Sequence, residues 1–452
     1  MIRELHWTTA SPVMISEPNC PKISSMLSGA TYSTVCFQHT WNAPMRLLLA
    51  YCPKSQTMLE RRIACVYALS DCFGFTAVND TADSQSKILY VTRPSLPPRK
   101  EVDSLLESVW ESRFVTNGGA VHQRFAAALA TYLDVPFVTP VANATLGIML
   151  ALRHLGISGE VITPAFSFVA TAHSVSWLGA DLVFADIDPV TLNIDPEDVE
   201  RRITPRTRAI LAVHCYGTPC DTNVLAEIAE RHGLALIYDG AHCFGATDDG
   251  GSLLRYGHLA VVSFHATKVF STLEGGAIIS HDPETKQALD RLCNYGIVDE
   301  TRIEAIGLNA KMSELHAAVG LAQLAHVDED IALRGQVAQR YAERLKDIDG
   351  IRCVCSPENS GQNNYAFPIM IEPDYSLSCL ELKERLAAHN ILARRYFYPL
   401  LSQLPMYRDL PSADPQGLPC SMTAAEQVLC LPLYPDLAPE DQDRIINLIC
   451  DA

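Results

Sequence analysis

The chain has 452 residues, with 35 Lys and Arg against 52 Asp and Glu and a net charge of −17. Hydrophobic residues make up 48% and charged residues 19%, a core-forming composition rather than a disordered one. A negative field repels phosphate backbones, which argues against nucleic-acid binding but leaves a small phosphorylated ligand open through local backbone amides. No run approaches the ~18–20 apolar residues of a membrane helix. The N-terminus has no basic stretch leading into an apolar run and a small-residue cleavage site. The 15 cysteines read as reduced thiols rather than a disulfide frame. A soluble, cytoplasmic protein without membrane or nucleic-acid partners is expected.

Residues 1–88 stand apart. They hold Cys20, Cys36, Cys52, Cys65 and Cys72, and they balance seven basic against six acidic side chains, so the acidity lies downstream. Apolar periodicity is weak outside 58–69, and no pair of cysteines has the C-x-x-C spacing of a metal site. This N-terminal extension carries no readable role. Val102, Leu105, Leu106, Val109 and Trp110 then follow the i, i+3, i+4, i+7, i+8 spacing of an amphipathic helix. β-like runs at 160–162, 182–187, 209–213, 234–238 and 259–264 come next. Among them lies a helix at 223–232 stopped by Gly233, and after them an Ala- and Leu-rich helix at 313–327.

Near-continuous apolar strands alternating with helices predict an α/β unit with a mostly parallel sheet covered on both faces. From about Gly335 a helix, a β-like run at 365–371, a helix at 380–389, the aromatic stretch Arg395-Tyr396-Phe397-Tyr398-Pro399 and a helix opened by Pro439 read as a smaller α+β domain. The expected organisation is an extension at 1–88, a large domain at 89–334 and a small domain at 335–452.

The run 234–238 leads straight into Asp239, then Gly240-Ala241-His242. A carboxylate at the C-terminal edge of a buried parallel strand lies where open α/β sheets bind ligands. The next strand leads to Lys268 and then Glu274-Gly275-Gly276. Pyridoxal phosphate needs this pairing, a lysine amine for its aldehyde and a carboxylate for its pyridinium nitrogen. A strand-end ion pair beside a surface lysine explains the spacing equally well. Ala142-Asn143-Ala144-Thr145 opens a helix and could present free N–H groups to an anion, although a plain cap has the same look. Pro164-Ala165-Phe166-Ser167-Phe168 offers an aromatic ring to a flat ligand, where a core phenylalanine is the commoner reading.

Six motifs in order carry a resemblance: Thr116-Asn117-Gly118-Gly119, Glu160-Val161-Ile162-Thr163-Pro164, His214-Cys215-Tyr216-Gly217, Tyr238-Asp239-Gly240-Ala241-His242, Ser263-Phe264-His265-Ala266-Thr267-Lys268, and Gly307-Leu308-Asn309-Ala310-Lys311-Met312-Ser313-Glu314. From residue 88 onward the chain resembles the DegT/DnrJ/EryC1/StrS sugar aminotransferases, which have the aspartate-aminotransferase-like type I fold. The resemblance implies that Lys268 carries pyridoxal phosphate as an imine and shuttles a proton. It implies that Asp239 holds the ring nitrogen, His242 meets the phenolic oxygen and Phe168 covers a ring face. Thr145, Ser263 and the backbone at Ala144 would hold the phosphate. Asn309 would reach the phosphate of a neighbouring subunit in a homodimer with shared sites.

Two departures are visible, Ala144 where many relatives have Gly and Gly240 where Ala is common. Lys268 argues against the family's dehydratase branch, which has His there. The runs 264–270 and 309–314 most resemble enzymes that aminate C4 of dTDP-4-dehydro-6-deoxy-D-glucose, with glutamate as donor. The alternatives are another 3-keto or 4-keto nucleotide sugar, or a non-catalytic regulatory relative. A zinc site built from His214, Cys215, Cys220, His242 and Cys243 is disfavoured, because adjacent His-Cys pairs lack chelating spacing and the aminotransferase reading places both histidines beside the cofactor. No metal is expected, and residues 1–88 are expected to be dispensable for the chemistry.

Overall fold

Strands that read as unbroken apolar runs need cover on both faces, and that demand organises the molecule. The computed structural model describes residues 87–354 and 361–451, together with the backbone of 31–36 and 46–51. The chain divides into two compact units, Met1–Ser84 and Gln85–Ala452. In the first, β1 (Thr31–Cys36) pairs antiparallel with β2 (Arg46–Tyr51). The periodic stretch at 58–69 lies outside the described residues.

The second unit opens with β3 (Leu89–Tyr90), α1 (Arg99–Ser112) and α2 (Ala120–Tyr132). Strands and helices then alternate through β4 (Phe137–Val141), α3 (Ala144–His154), β5 (Glu160–Pro164), α4 (Val169–Trp177), β6 (Asp181–Ala185) and α5 (Pro196–Arg202). β7 (Thr207–Val213), α6 (Thr222–His232) and β8 (Ala235–Asp239) follow, then the short hairpin β9 (Thr247–Asp248) and β10 (Gly251–Ser252). β11 (Leu259–Ser263), β12 (Gly276–Ser280) and α7 (Pro283–Cys293) complete the run.

Seven strands form one sheet in the order β4-β12-β11-β8-β7-β5-β6. β12 runs antiparallel to both neighbours, and the other pairings are parallel. Alternation sends Leu236 and Tyr238 into one core with Phe125 of α2 and Ile228 of α6. Ile237 faces the opposite core with Ile148 of α3 and Val175 of α4. β4 and β12 escaped the sequence reading because Pro140 and Gly276 disguise them. Pro140 is tolerated because β4 is an edge strand, where a missing N–H breaks little.

The expected helix at 313–327 is shorter. α8 (Glu314–Gln323) ends, a turn follows, and α9 (Val327–Leu345) begins. The helix at 223–232 does stop at Gly233, whose φ of 64° is the left-handed geometry a C-terminal glycine supplies. The rest of the unit adds β13 (Ile351–Cys353), β14 (Phe367–Ile371), α10 (Cys379–Ala388), β15 (Ile391–Leu392), α11 (Pro419–Gln427), β16 (Val428–Leu431) and α12 (Pro439–Cys450). Its antiparallel sheet β13-β14-β16 is covered by Tyr341 of α9, Leu386 of α10 and Ile446 of α12. β3 pairs with β15, so Leu89 is buried in this core too. No helix among the described residues is long and apolar enough to cross a membrane.

Candidate active site

Asp239 is the last residue of β8 and sits level with Val213 of β7 and Val261 of β11. It is only 5% exposed. Its Oδ2 accepts from Thr171 Oγ1 at 2.8 Å, and its Oδ1 accepts from the Ala241 N–H at 3.1 Å. Thr171 is steadied in turn by Ser167 Oγ at 2.9 Å. Burial raises the Asp239 pKa, and these donors and the charge of Lys268 pull against it. Among the described residues no cation forms an ion pair with this carboxylate. At Gly240 a Cβ would lie 2.5 Å from Leu254 Cδ2, so the Ala common there asks only that this leucine side chain shift.

Beyond β11 the chain turns through His265, whose carbonyl accepts from the Lys268 N–H at 2.9 Å, and the Lys268 side chain is half-buried. Burial pushes the amine down to about 8, against the opposing pull of Asp239. Nζ makes a long hydrogen bond of 3.4 Å to Tyr365 Oη and lies 4.8 Å from the centre of that ring. Beside them His242 is buried, and burial followed by the Lys268 charge drives its pKa well below the ordinary value. A backbone N–H, that of Tyr216, donates to its Nδ1 at 3.1 Å. The neutral ring therefore carries its proton on Nε2 and presents a fixed donor there.

The register of three strands builds a second feature. Val141 of β4 pairs with Gly276 of β12, which pairs with Ser263 of β11. Just past Val141, Asn143 Oδ1 caps α3 by accepting from the Leu146 N–H at 3.0 Å. Among the described residues the N–H groups of Ala144 and Thr145 have no acceptor at the helix's positive end. Gly276 is required at this approach, because a Cβ would lie 2.8 Å from the Ala144 nitrogen. Asn309 runs alongside: the Ala142 N–H bonds the Ala310 carbonyl at 2.7 Å, and Asn309 itself bridges to Asn294 and is exposed.

The two phenylalanines of the sequence reading separate. Phe166 is fully buried, while Phe168, at the N-cap of α4, is 58% exposed. Asp239, Lys268 and His242 are thus brought together, and Ser263 adjoins the Ala144–Thr145 turn through β12. Phe168 and Asn309 stand at the surface of the single chain. His214 is fully buried and stacks on Tyr238 at 4.4 Å between ring centres. Its ring contacts are those of the core.

The profile of the DegT/DnrJ/EryC1/StrS aminotransferase family matches residues 98–450. The chain belongs to this family. It is 46% identical over 363 residues to the dTDP-4-amino-4,6-dideoxy-D-glucose transaminase of Shigella dysenteriae, covering 80% of this chain and 98% of that one. The Escherichia coli enzyme of the same name is 43% identical over 366 residues, with the same coverage. Among solved structures, DesI in the presence of its TDP-sugar product superposes with a TM-score of 0.76 at 34% identity, over 84% of this chain and 95% of that one. This DegT/DnrJ/EryC1/StrS chain is a sugar aminotransferase of the type I fold.

Three positions without a role in the sequence make a contact in or beside the site, and of them only Glu314 lies within one of the six motifs. Thr171 supports Asp239, and only its place four residues after Ser167 hinted at it. Tyr365 looked like an ordinary strand aromatic. Glu314, the last residue of the motif that ends Lys311-Met312-Ser313-Glu314, is buried and accepts from the N–H groups of Val121 at 2.9 Å and His122 at 3.2 Å. It caps α2, the helix that begins just after Thr116-Asn117-Gly118-Gly119.

Proposed function

We propose that this aminotransferase binds pyridoxal phosphate at Lys268 and aminates C4 of dTDP-4-dehydro-6-deoxy-D-glucose, giving dTDP-4-amino-4,6-dideoxy-D-glucose, with L-glutamate as donor. The observation that carries the cofactor assignment is Asp239, a buried carboxylate with no ion pair among the described residues, oriented by Thr171 and Ala241 beside a lysine of depressed pKa. A ligand bringing a ring N–H⁺, an aldehyde, a phenolic oxygen and a phosphate would find a candidate partner for each of them here. Asp239 would hold the ring nitrogen in its protonated form. His242 would donate from Nε2 to the phenolic oxygen, Phe168 would shield a ring face, and Ser263, Thr145 and the Ala144 N–H would hold the phosphate. Once bound, the cofactor supplies an electron sink for the substrate carbon that loses its proton. Lys268, neutral in part at physiological pH, is the group placed to take that proton and return it.

The sugar assignment rests on the identity to the two named transaminases. The homodimer belongs to the same proposal. Asn309 is exposed among Tyr295, Ile303 and Ile306, the last 77% exposed, and a run of bare apolar side chains beside a motif asparagine fits burial against a second copy. Incubating the purified protein with glutamate and a panel of nucleotide-linked 3-keto and 4-keto sugars tests the reading. The expected product is the 4-amino-4,6-dideoxyglucose nucleotide. Turnover confined to a 3-keto sugar would overturn the substrate, and product formation by Lys268→Ala would overturn the site.

A further inference from the structure

Tyr365 has no part in the assignment above, yet it touches two of the groups that do. Its hydroxyl accepts the long hydrogen bond from Lys268 Nζ, and its ring stacks on His242 with centres 4.2 Å apart and planes 11° apart. The side chain is 8% exposed, and burial raises its pKa, which keeps the phenol protonated. Its backbone is tethered as well. Asn363 Oδ1 accepts from the Tyr365 N–H at 3.1 Å, while Asn363 Nδ2 donates to the carbonyls of His242 at 2.6 Å and Phe244 at 2.9 Å. One buried amide therefore fixes the tyrosine that leads into β14 to the His242 segment that follows β8. Gly217 makes room for it, with φ at 85° and a would-be Cβ only 2.8 Å from Asn363 Oδ1.

We infer that Tyr365 is a positioning residue for the reaction, whose hydroxyl receives the Lys268 amine whenever that amine is not covalently engaged and whose ring sets the plane of His242. This rests on the transaminase reading. A free lysine carries four rotatable bonds, so an amine that must return to the same carbon in every cycle gains from a fixed acceptor. The ring face also attracts the cationic form, and a phenylalanine would keep that attraction. Tyr365→Phe thus separates the hydroxyl from the stack.

The test uses full-length, cofactor-loaded protein for kinetics and the cofactor-free form for the lysine itself. In Tyr365→Phe, kcat should fall about ten-fold to a hundred-fold while KM for the sugar nucleotide stays close to wild type. In the cofactor-free form, the pH midpoint for labelling of Lys268 by a small amine-directed reagent, followed by mass spectrometry, should move downward, because an acceptor that favours the ammonium is lost. Asn363→Ser keeps the phenol and cuts its tether, and should move both readouts in the same direction by a smaller amount. Wild-type kcat together with an unchanged labelling midpoint, in whichever of the two variants is soluble, would overturn the inference. Lys268→Ala is run in parallel. If that variant still transaminates, the reading of the site has failed, whereas a dead Lys268→Ala beside a normal Tyr365→Phe removes only the role of Tyr365.

Discussion

At Asp239 the chain keeps a carboxylate buried with a raised pKa, which is a cost to the fold until a cation arrives. Because the native state holds its proton more tightly than the unfolded chain, the contribution is present at low pH and is lost as the pH rises from the ordinary carboxylate value through the raised one. Asp239→Asn should therefore lose at least about 10²-fold in turnover. Its cofactor-free form should nevertheless melt at or above the wild-type temperature at pH 7. Calorimetry of both cofactor-free proteins beside steady-state rates checks the pair of outcomes, and a less stable Asn variant would contradict the burial argument. Lys268 runs the opposite way. Its amine drops from an ordinary 10.5 to about 8, so the penalty of its charge is present below pH 8 and is relieved as the pH rises toward 10.5. Labelling of Lys268 in the cofactor-free wild type should show a midpoint near 8, and a midpoint near that of surface lysines would refute the burial. Lys268→Ala should lower transamination by at least about 10⁴-fold, since a methyl group neither attaches the cofactor nor carries a proton.

α2 depends on a residue far away in sequence. Gly119 is its N-cap and has no side chain to offer, so the first N–H groups of the helix rely on the carboxylate of Glu314, at the start of α8. The same contact dictates the glycine, because a Cβ at Gly119 would lie 2.8 Å from the Glu314 carboxyl carbon and 2.6 Å from the Phe114 ring. Removing the carboxylate leaves buried donors without a partner. Glu314→Ala should therefore cost about 1–3 kcal/mol, read as a lower denaturant midpoint at unchanged slope. An unchanged midpoint would show that water or a neighbour replaces the cap. This link explains how motifs nearly two hundred residues apart form one structure, α2 packed on α8 with Phe125 and Ala317 in a common core. The contrast with Trp110 of α1 is instructive. Periodicity put Trp110 on the buried face with Val109, but Val109 is buried and Trp110 is 69% exposed. Helical spacing defines a stripe, and only the position of the neighbours decides how much of it is covered.

For the whole molecule, two outcomes follow. If Asn309 serves a partner's phosphate site, mixing inactive Lys268→Ala and Asn309→Asp subunits under exchange should restore part of the activity, because one hybrid site then has both intact residues. Heterodimers shown to form yet remaining inactive would count against shared sites. A chain starting near Ser86 should keep the turnover of the full-length protein at matched cofactor content, since every residue given a chemical role lies beyond that point. Loss of catalysis in the folded, loaded truncation would make residues 1–85 part of the active site.

Legible in the sequence alone were the α/β class, the strand-end Asp239 and the post-strand Lys268. These depend on local text: a buried parallel strand must be apolar throughout, and its end is where polar groups can begin. The family was legible as well, because its motifs are contiguous runs. β4 and β12 were not, since Pro140 and Gly276 are chosen for an edge position and for a close backbone approach that exist only once the sheet has formed. Thr171, Glu314 and Tyr365 were hidden for the same reason. A threonine in a helix, a glutamate opening one and a tyrosine leading into a strand are unremarkable by spacing, and each acquires its task from a partner 68, 193 or 97 residues away. Local sequence determines which elements form and where their polar ends lie. Only the tertiary structure decides which of those ends meet, because burial and hydrogen-bond geometry act between groups that the chain itself keeps far apart.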